Sequence, residues 1–152
     1  MLRVDWLENQ MHHCDTMAER LYQQFSYEYV GQSLAQWQQE FAAGQADGSW
    51  KSLIVTDGDQ LLGGAALAQD DLSSRPDLGP WLACVLVAPE ARGQGLAARL
   101  IEEICDHARD SGITTLYLHT HDKSDYYAKR GWNVLDRFEG WGKEQWLMSR
   151  EL

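Results

Sequence analysis

The sequence predicts a mixed α/β or α+β sandwich with its elements in the order β-α-α-β-β-β-α-β-α-β-β. Three observations lead there. Apolar residues recur at helical spacing in two long stretches, Met11 to Phe25 and Leu96 to Ala108. Asp57-Gly58-Asp59 separates two strand-like runs and signals a hairpin. A glycine-rich turn, Ala88-Pro89-Glu90-Ala91-Arg92-Gly93-Gln94-Gly95-Leu96-Ala97, carries an apolar strand into an amphipathic helix.

Met1 to Trp6 reads as a short first strand. Met11, Cys14, Met17, Ala18, Leu21 and Phe25 then predict a helix over Glu8–Gln24. Ser33 with Gln36 is a capping-box pair that opens a second helix, Leu34–Ala43, which Gly44 is expected to close. Trp50–Thr56 and Gln60–Ala68 are the hairpin strands, and Asp70–Pro80 is a loop. Trp81–Val87 is the apolar strand before the glycine turn, and Gly95–Ser111 is the helix after it, ended by Gly112. Thr114–His119 follows as a strand with Leu116 and Leu118 on one side and Tyr117 and His119 on the other. The unit 81–119 must be a right-handed crossover between parallel strands. A short helix over Lys123–Lys129, stopped by Gly131, and two strands, Trp132–Phe138 and Glu144–Met148, complete the chain.

At 152 residues, with no internal repeat or long linker, the chain is expected to be one domain spanning 1–152. It holds no apolar run of membrane-spanning length, and Met1-Leu2-Arg3-Val4-Asp5-Trp6 lacks a signal-peptide plan. Cys14, Cys84 and Cys105 are an odd number in apolar surroundings, so reduced core thiols in a cytoplasm are expected. His12-His13-Cys14 cannot share one ion, because adjacent helical residues diverge by about 100°. No metal is expected.

The net charge of −10 is unevenly spread. Residues 1–80 hold four Lys/Arg against twelve Asp/Glu, and residues 81–152 hold nine against eleven. Such a balance excludes a nucleic-acid face. It assigns anion binding to the second half and a cationic partner to the first.

The glycine turn suits an anion, because glycines allow close backbone approach and the helix start carries partial positive charge. Gly93-Gln94-Gly95-Leu96-Ala97-Ala98 matches the dinucleotide fingerprint G-x-G-x-x-A. Pro89 to Arg92 intervene between strand and glycines, however, too little chain follows for a doubly wound sheet, and His119 stands where a carboxylate is needed. A nicotinamide-dependent oxidoreductase is therefore a distant alternative.

Val85-Leu86-Val87-Ala88-Pro89-Glu90-Ala91-Arg92-Gly93-Gln94-Gly95-Leu96-Ala97 resembles the acetyl-CoA signature of the GNAT acetyltransferase superfamily, with Arg92, Gly95 and Ala97 at the defining positions. Tyr126-Tyr127-Ala128-Lys129-Arg130-Gly131-Trp132 resembles that family's aromatic-Tyr-x-x-x-Gly-aromatic segment. The resemblance implies a mixed, mostly antiparallel central sheet of six to seven strands flanked by four helices, with splayed parallel strands at 81–87 and 114–119. It implies acetyl-CoA as cosubstrate, its pyrophosphate wrapped by backbone amides of Arg92, Gly93, Gln94, Gly95, Leu96 and Ala97. Its pantetheine would lie along Val85, Leu86 and Val87, where a main-chain N–H could polarise the thioester carbonyl. Tyr127 is implied as general acid. Where many members carry an Asn that contacts the cofactor, this chain has Thr120-His121-Asp122-Lys123, which makes Lys123 the candidate phosphate contact.

The expected reaction is acetyl transfer to a primary amine by direct attack in a ternary complex. A small cationic metabolite is the favoured acceptor and a peptide amino terminus the second. Glu28, Asp70, Asp71, Asp77, His119 and His121 all stay open as general base. A non-catalytic acetyl-CoA-binding regulatory module is the alternative reading. Members of the family are often dimers, so the resemblance leaves a homodimer open.

Overall fold

The Asp57-Gly58-Asp59 turn joins β2 (Trp50–Asp57) to β3 (Gln60–Ala68) in an antiparallel pair, as its composition dictates. The computed structural model describes residues 1–152. The remaining strands are β1 (Leu2–Trp6), β4 (Trp81–Val87), β5 (Thr115–Thr120), β6 (Asn133–Gly140) and β7 (Lys143–Glu151). All seven form one sheet in the order β1-β2-β3-β4-β5-β7-β6. Every neighbouring pair is antiparallel except β4 and β5. The helices are α1 (Cys14–Gln24), α2 (Leu34–Asp47), α3 (Leu96–Asp110) and α4 (Ser124–Ala128). No helix is long and apolar enough to cross a membrane.

Both faces of the sheet are covered, which is why β2 and β3 read as continuous buried runs. The apolar stripe of α3 (Leu96, Leu100, Ile101, Ile104, Cys105, Ala108) packs on Leu53, Val55, Leu62, Leu116 and Leu118. Met17, Ala18 and Leu21 of α1, with Trp37 and Phe41 of α2, cover Ile54, Leu61 and Leu86 on the opposite face. Full burial of each Leu, Ile, Val, Met or Phe side chain among these contributes about 1.5–3 kcal/mol. Gly64 sits under α1, and a Cβ there would lie 2.7 Å from both the Leu53 carbonyl oxygen and Met17 Cε. Gly64→Ala should cost roughly 1–3 kcal/mol through overpacking. An unchanged urea midpoint would contradict this packing.

The last two strands run longer than their sequence ranges, to Gly140 and Glu151 rather than Phe138 and Met148, and three further elements differ from the sequence reading. Helix α1 begins at Cys14 rather than Glu8, because Leu7–Asn9 and Met11–His13 form separate 3₁₀ turns. The Asp5 carboxylate draws that segment into a local network, accepting from the Trp6 N–H and from the Asn9 and Gln10 amides. Helix α2 runs past Gly44 to Asp47, and its end is marked by Gly48 at φ +78°. Gly44 is a packing glycine: a Cβ there would meet Trp50 Cβ at 2.6 Å. The predicted capping box between Ser33 and Gln36 is present with both bonds made.

The third difference lies in β4. Cys84 and Val85 together oppose Ala65, and Cys84 has φ +55°, so the strand carries a bulge. The extra residue resets the alternation. Leu82, Val85 and Val87 face α3, whereas Ala83, Cys84 and Leu86 face the α1 side. Beyond this point β4 and β5 diverge. Their ladder consists of one register pair, Trp81 with Tyr117, supported by the Tyr117 N–H donating to the Pro80 carbonyl at 3.2 Å.

Candidate active site

Divergence of β4 from β5 opens a cleft whose walls are unpaired strand backbone. At its top the chain leaves β4 through a Pro89–Ala91 turn and enters α3. Gly93 and Gly95 hold φ +81° and +74°, and a Cβ on either would meet nothing within 4 Å. The space beside both is open. Gly95 is the N-cap residue of α3 and no side chain caps the helix, so the first-turn amides lack an intrahelical acceptor. Arg92 to Gly95 are exposed, Leu96 is buried and Ala97 half-buried. These residues fit a diphosphate held by main-chain donors. Arg92 donates from Nε to the Val87 carbonyl at 3.3 Å, which ties the turn to the end of β4. Val85 and Val87 are half-buried along the cleft, and Leu86 is buried on the other face against the α1 side. The Lys123 side chain is exposed just before α4, and its N–H donates to Thr120 Oγ1 at 3.1 Å.

Tyr127 lies on α4, buried on the α3 face of the sheet, with its ring 5.4 Å from Tyr126 and 5.9 Å from Trp132. Burial raises its phenol pKa above the usual value, with Tyr126 and Asp122 adding to it. The hydroxyl is therefore protonated across the neutral range.

On the opposite face stands a cluster of titratable groups. His119 of β5 has its Nε2 3.1 Å from Asp71 Oδ2 and 3.3 Å from the Asp71 carbonyl oxygen, and its side chain is 6% exposed. Trp141 stacks on the ring at 5.4 Å, and Trp81 and Phe138 present further rings at 6.1 and 6.3 Å. Burial opposes the charge on His119, but the bond to Asp71 and the charges of Asp71 and Glu28 outweigh it and raise the ring to about 9. Burial pushes the Asp71 carboxyl up, opposed by the His119 bond and charge. The pair therefore keeps one proton at neutral pH, which the adjacent carboxylates hold on the imidazole. Glu28, on the turn between α1 and α2, is raised to about 7, chiefly by burial and then by Asp71, with His119 and Tyr27 acting the other way.

Of the six base candidates, Asp71 and His119 are brought into contact, and their charges act on Glu28. His121 joins at the edge, where Tyr27 Oη and His121 Nδ1 are 3.1 Å apart. Asp77 is held elsewhere by two 3.1 Å bonds from Arg75, which lower its pKa. Asp70 is exposed. Sequence reasoning missed Tyr27 and Trp141. Tyr27 touches both His121 and Trp141, at centroid distances of 5.3 and 6.4 Å, and Lys143 Nζ sits 5.2 Å over its ring. Trp141 occupies the tip of the β6–β7 hairpin at φ +52°. A large aromatic between Gly140 and Gly142 was the available signal.

The geometry thus comprises an anion cradle, a strand cleft, and titratable groups on both faces of the cleft. An "Amino-acid acetyltransferase" of Neisseria meningitidis, in serogroup A and serogroup B strains, is 33% identical over 88 residues. That match covers 58% of this chain and 19% of the relative, so the chain spans only a small part of that protein's length. The crystal structure of an aminoglycoside 6'-N-acetyltransferase complexed with coenzyme A has the same fold, with TM-score 0.76, 17% identity, and 99% of this chain and 96% of that one covered. N-acetylglutamate synthase from Neisseria gonorrhoeae, complexed with coenzyme A and N-acetyl-glutamate, superposes with TM-score 0.69 and 21% identity, covering 100% of this chain and 35% of that one. The sheet, with its single parallel pair, is not the doubly wound arrangement a nicotinamide enzyme needs. The family model described as "Acetyltransferase (GNAT) family" matches residues 11–132, from before α1 to the end of the Tyr127 segment. On that match and this sheet, the chain belongs to the GNAT family of acetyltransferases, which are acyltransferase enzymes.

Proposed function

We propose that the chain is an acetyl-CoA-dependent N-acetyltransferase that acetylates a primary amine on a small cationic metabolite. The observation that supports this reading is the cleft left where β4 and β5 diverge, which opens at the uncapped start of α3, with the protonated phenol of Tyr127 buried on one face of the sheet and the Asp71–His119 pair on the other. Acetyl-CoA would supply an activated acyl group as a thioester. The amides of Arg92 to Ala97 would hold its diphosphate, and Lys123 is the candidate for a further phosphate contact. Unpaired backbone of Val85 to Val87 would bond its pantetheine, and an N–H of this segment would polarise the carbonyl.

Glu28, ionised, takes a proton from the acceptor ammonium. The freed amine attacks the acyl carbon, the C–S bond breaks, and Tyr127 gives its proton to the departing sulfur. The nitrogen sheds a second proton to solvent, leaving amide and thiol; Glu28 then releases its proton to solvent and the Tyr127 phenolate takes one back. Direct attack is favoured by the state of the thiols. Burial pushes Cys14 and Cys105 up to about 11 and Cys84 well above its ordinary value, so no thiolate is present to take the acyl group first.

A cationic acceptor is supported by the carboxylates Glu28, Asp71 and Asp122 around Tyr27, and by the ring faces of Tyr27 and Trp141. Lys143 already occupies the Tyr27 face as a cation. The test has two steps. Acetyl-CoA at about one hundred times its Kd should stabilise the protein by about 2.7 kcal/mol in a thermal-shift assay. Thiol release should then follow diamines or amino sugars in preference to glutamate. No thermal shift, or release driven by glutamate alone, would overturn the reading. Release driven by peptides would favour the amino-terminus alternative.

A further inference from the structure

The residues Gly140-Trp141-Gly142-Lys143 turn the last hairpin. Gly140 and Lys143 are register partners, so Trp141 and Gly142 are the two loop residues, at φ +52° and +74°. Positive φ at both loop positions matches the twist of a two-residue hairpin, yet it suits Gly142 and strains a tryptophan. The indole is held there by its stack on His119, with ring centres 5.4 Å apart and planes 27° apart. The same turn delivers Lys143 to a ring from the segment between α1 and α2. Lys143 is exposed and has a glutamate next to it on its own strand. Glu144 pairs with Arg137 instead, and the Lys143 ammonium lies 5.2 Å from the centre of the Tyr27 ring. That ring is fixed in place. Its hydroxyl is 3.1 Å from His121 Nδ1, and Phe25, His121 and Trp141 meet it edge-on at 6.5, 5.3 and 6.4 Å. A fixed aromatic face with an ammonium on it is a cation site, and here the cation belongs to the chain itself.

The nitrogen that attacks a thioester must be neutral, so it is not the group this ring attracts. A cation seated on Tyr27 has to be a second group of the acceptor. We propose that Lys143 is a tethered competitor at the Tyr27 face, raising the KM of any acceptor that seats there a cationic group other than its reacting amine. The proposal rests on the reading of the chain as an N-acetyltransferase of cationic amines. An exposed cation over a tyrosine shifts an equilibrium by about two- to fivefold, weak enough to exchange on every turnover and strong enough to read in KM.

Thiol release from acetyl-CoA is followed with diaminobutane, which keeps one ammonium when its other nitrogen is deprotonated, and with butylamine, which keeps none. Lys143→Gln should lower the KM for diaminobutane about two- to fivefold and leave that for butylamine in place, the change falling in KM rather than kcat. Lys143→Arg, whose guanidinium also stacks on aromatic faces, should keep the parent KM. In a Tyr27→Leu background Lys143→Gln should have no effect. An unmoved KM for diaminobutane in Lys143→Gln, an equal fall for butylamine, or an effect undiminished without the Tyr27 ring would overturn the proposal. A second readout does not depend on turnover. The Lys143 ε-methylene protons, assigned by their loss in Lys143→Gln, should lie upfield under the Tyr27 ring current. They should return to the ordinary lysine position when diaminobutane is added to the coenzyme A complex. An ordinary position before the addition, or an upfield one that diaminobutane leaves in place, also overturns it. Failure of the acceptor reading is separable, because it shows as no thiol release with either amine in the parent and every variant.

Discussion

Tyr127→Phe should bind acetyl-CoA as tightly as the parent and turn over roughly a hundred- to ten-thousand-fold more slowly. The substitution removes one oxygen and leaves the ring packed against Tyr126 and Trp132. Binding, which the proposed reading gives to main-chain donors of Arg92 to Ala97, has no reason to change. Turnover does. A phenol titrates near 10 and a thiol near 8.5, so handing a proton to a finished thiolate is uphill. Burial widens that gap by raising Tyr127 further. The proton is useful only if it moves while the C–S bond breaks, which makes its contribution a matter of position and places it in kcat rather than in the coenzyme Kd. Stopped-flow thiol release beside calorimetric Kd values separates the two. A variant within about twofold of the parent turnover would make Tyr127 a packing residue. It would also reopen the reading as a coenzyme-binding regulator.

Glu28→Gln should lower kcat/KM by about a hundredfold or more above pH 7 and flatten the acidic limb of the profile. In the parent that limb should fall tenfold per pH unit below about 7, where Glu28 takes up its proton. The same substitution should stabilise the fold at pH 8. The folded carboxyl is raised above its unfolded value, so between about 4.3 and 7 the native state binds more protons than the unfolded chain. Stability contributed by this group is therefore complete below that window and lost as pH rises through it. Glutamine removes the loss. Activity and stability moving in opposite directions at one position is the signature of a functional group held against its own preference. A melting temperature at pH 8 that falls, with the acidic limb intact, would remove Glu28 from the mechanism.

Much of the architecture was legible in the chain because local chemistry and tertiary demands agree. The Ser33 box, the Asp57-Gly58-Asp59 turn and the α3 stripe appear where composition places them. The exceptions have tertiary causes. Gly44 carries a helix terminator's composition, yet the neighbour it accommodates, Trp50, is six residues further on. The Cys84 bulge has no local marker at all, since neither glycine nor asparagine sits at the φ +55° position. Of the six base candidates, only folding separates Glu28, Asp71 and His119 from Asp77, because Arg75 claims the latter across two residues. Tyr27 and Trp141 lay hidden for a similar reason: they are 114 residues apart and meet only when the last hairpin closes over the cleft.

The lone rung between Trp81 and Tyr117 divides the sheet into a larger leaf, β1 to β4, and a smaller one, β5 to β7. Glu28 and Asp71 travel with the first leaf, Tyr127 and His119 with the second. The span between acid and base is then an opening angle, and backbone pairing does little to set it. Where the ladder stops, the shared core under α3 and two side-chain contacts, His119 to Asp71 and Tyr27 to His121, join the leaves. The aperture of the active site is therefore set by side chains from distant parts of the chain rather than by the strand ladder.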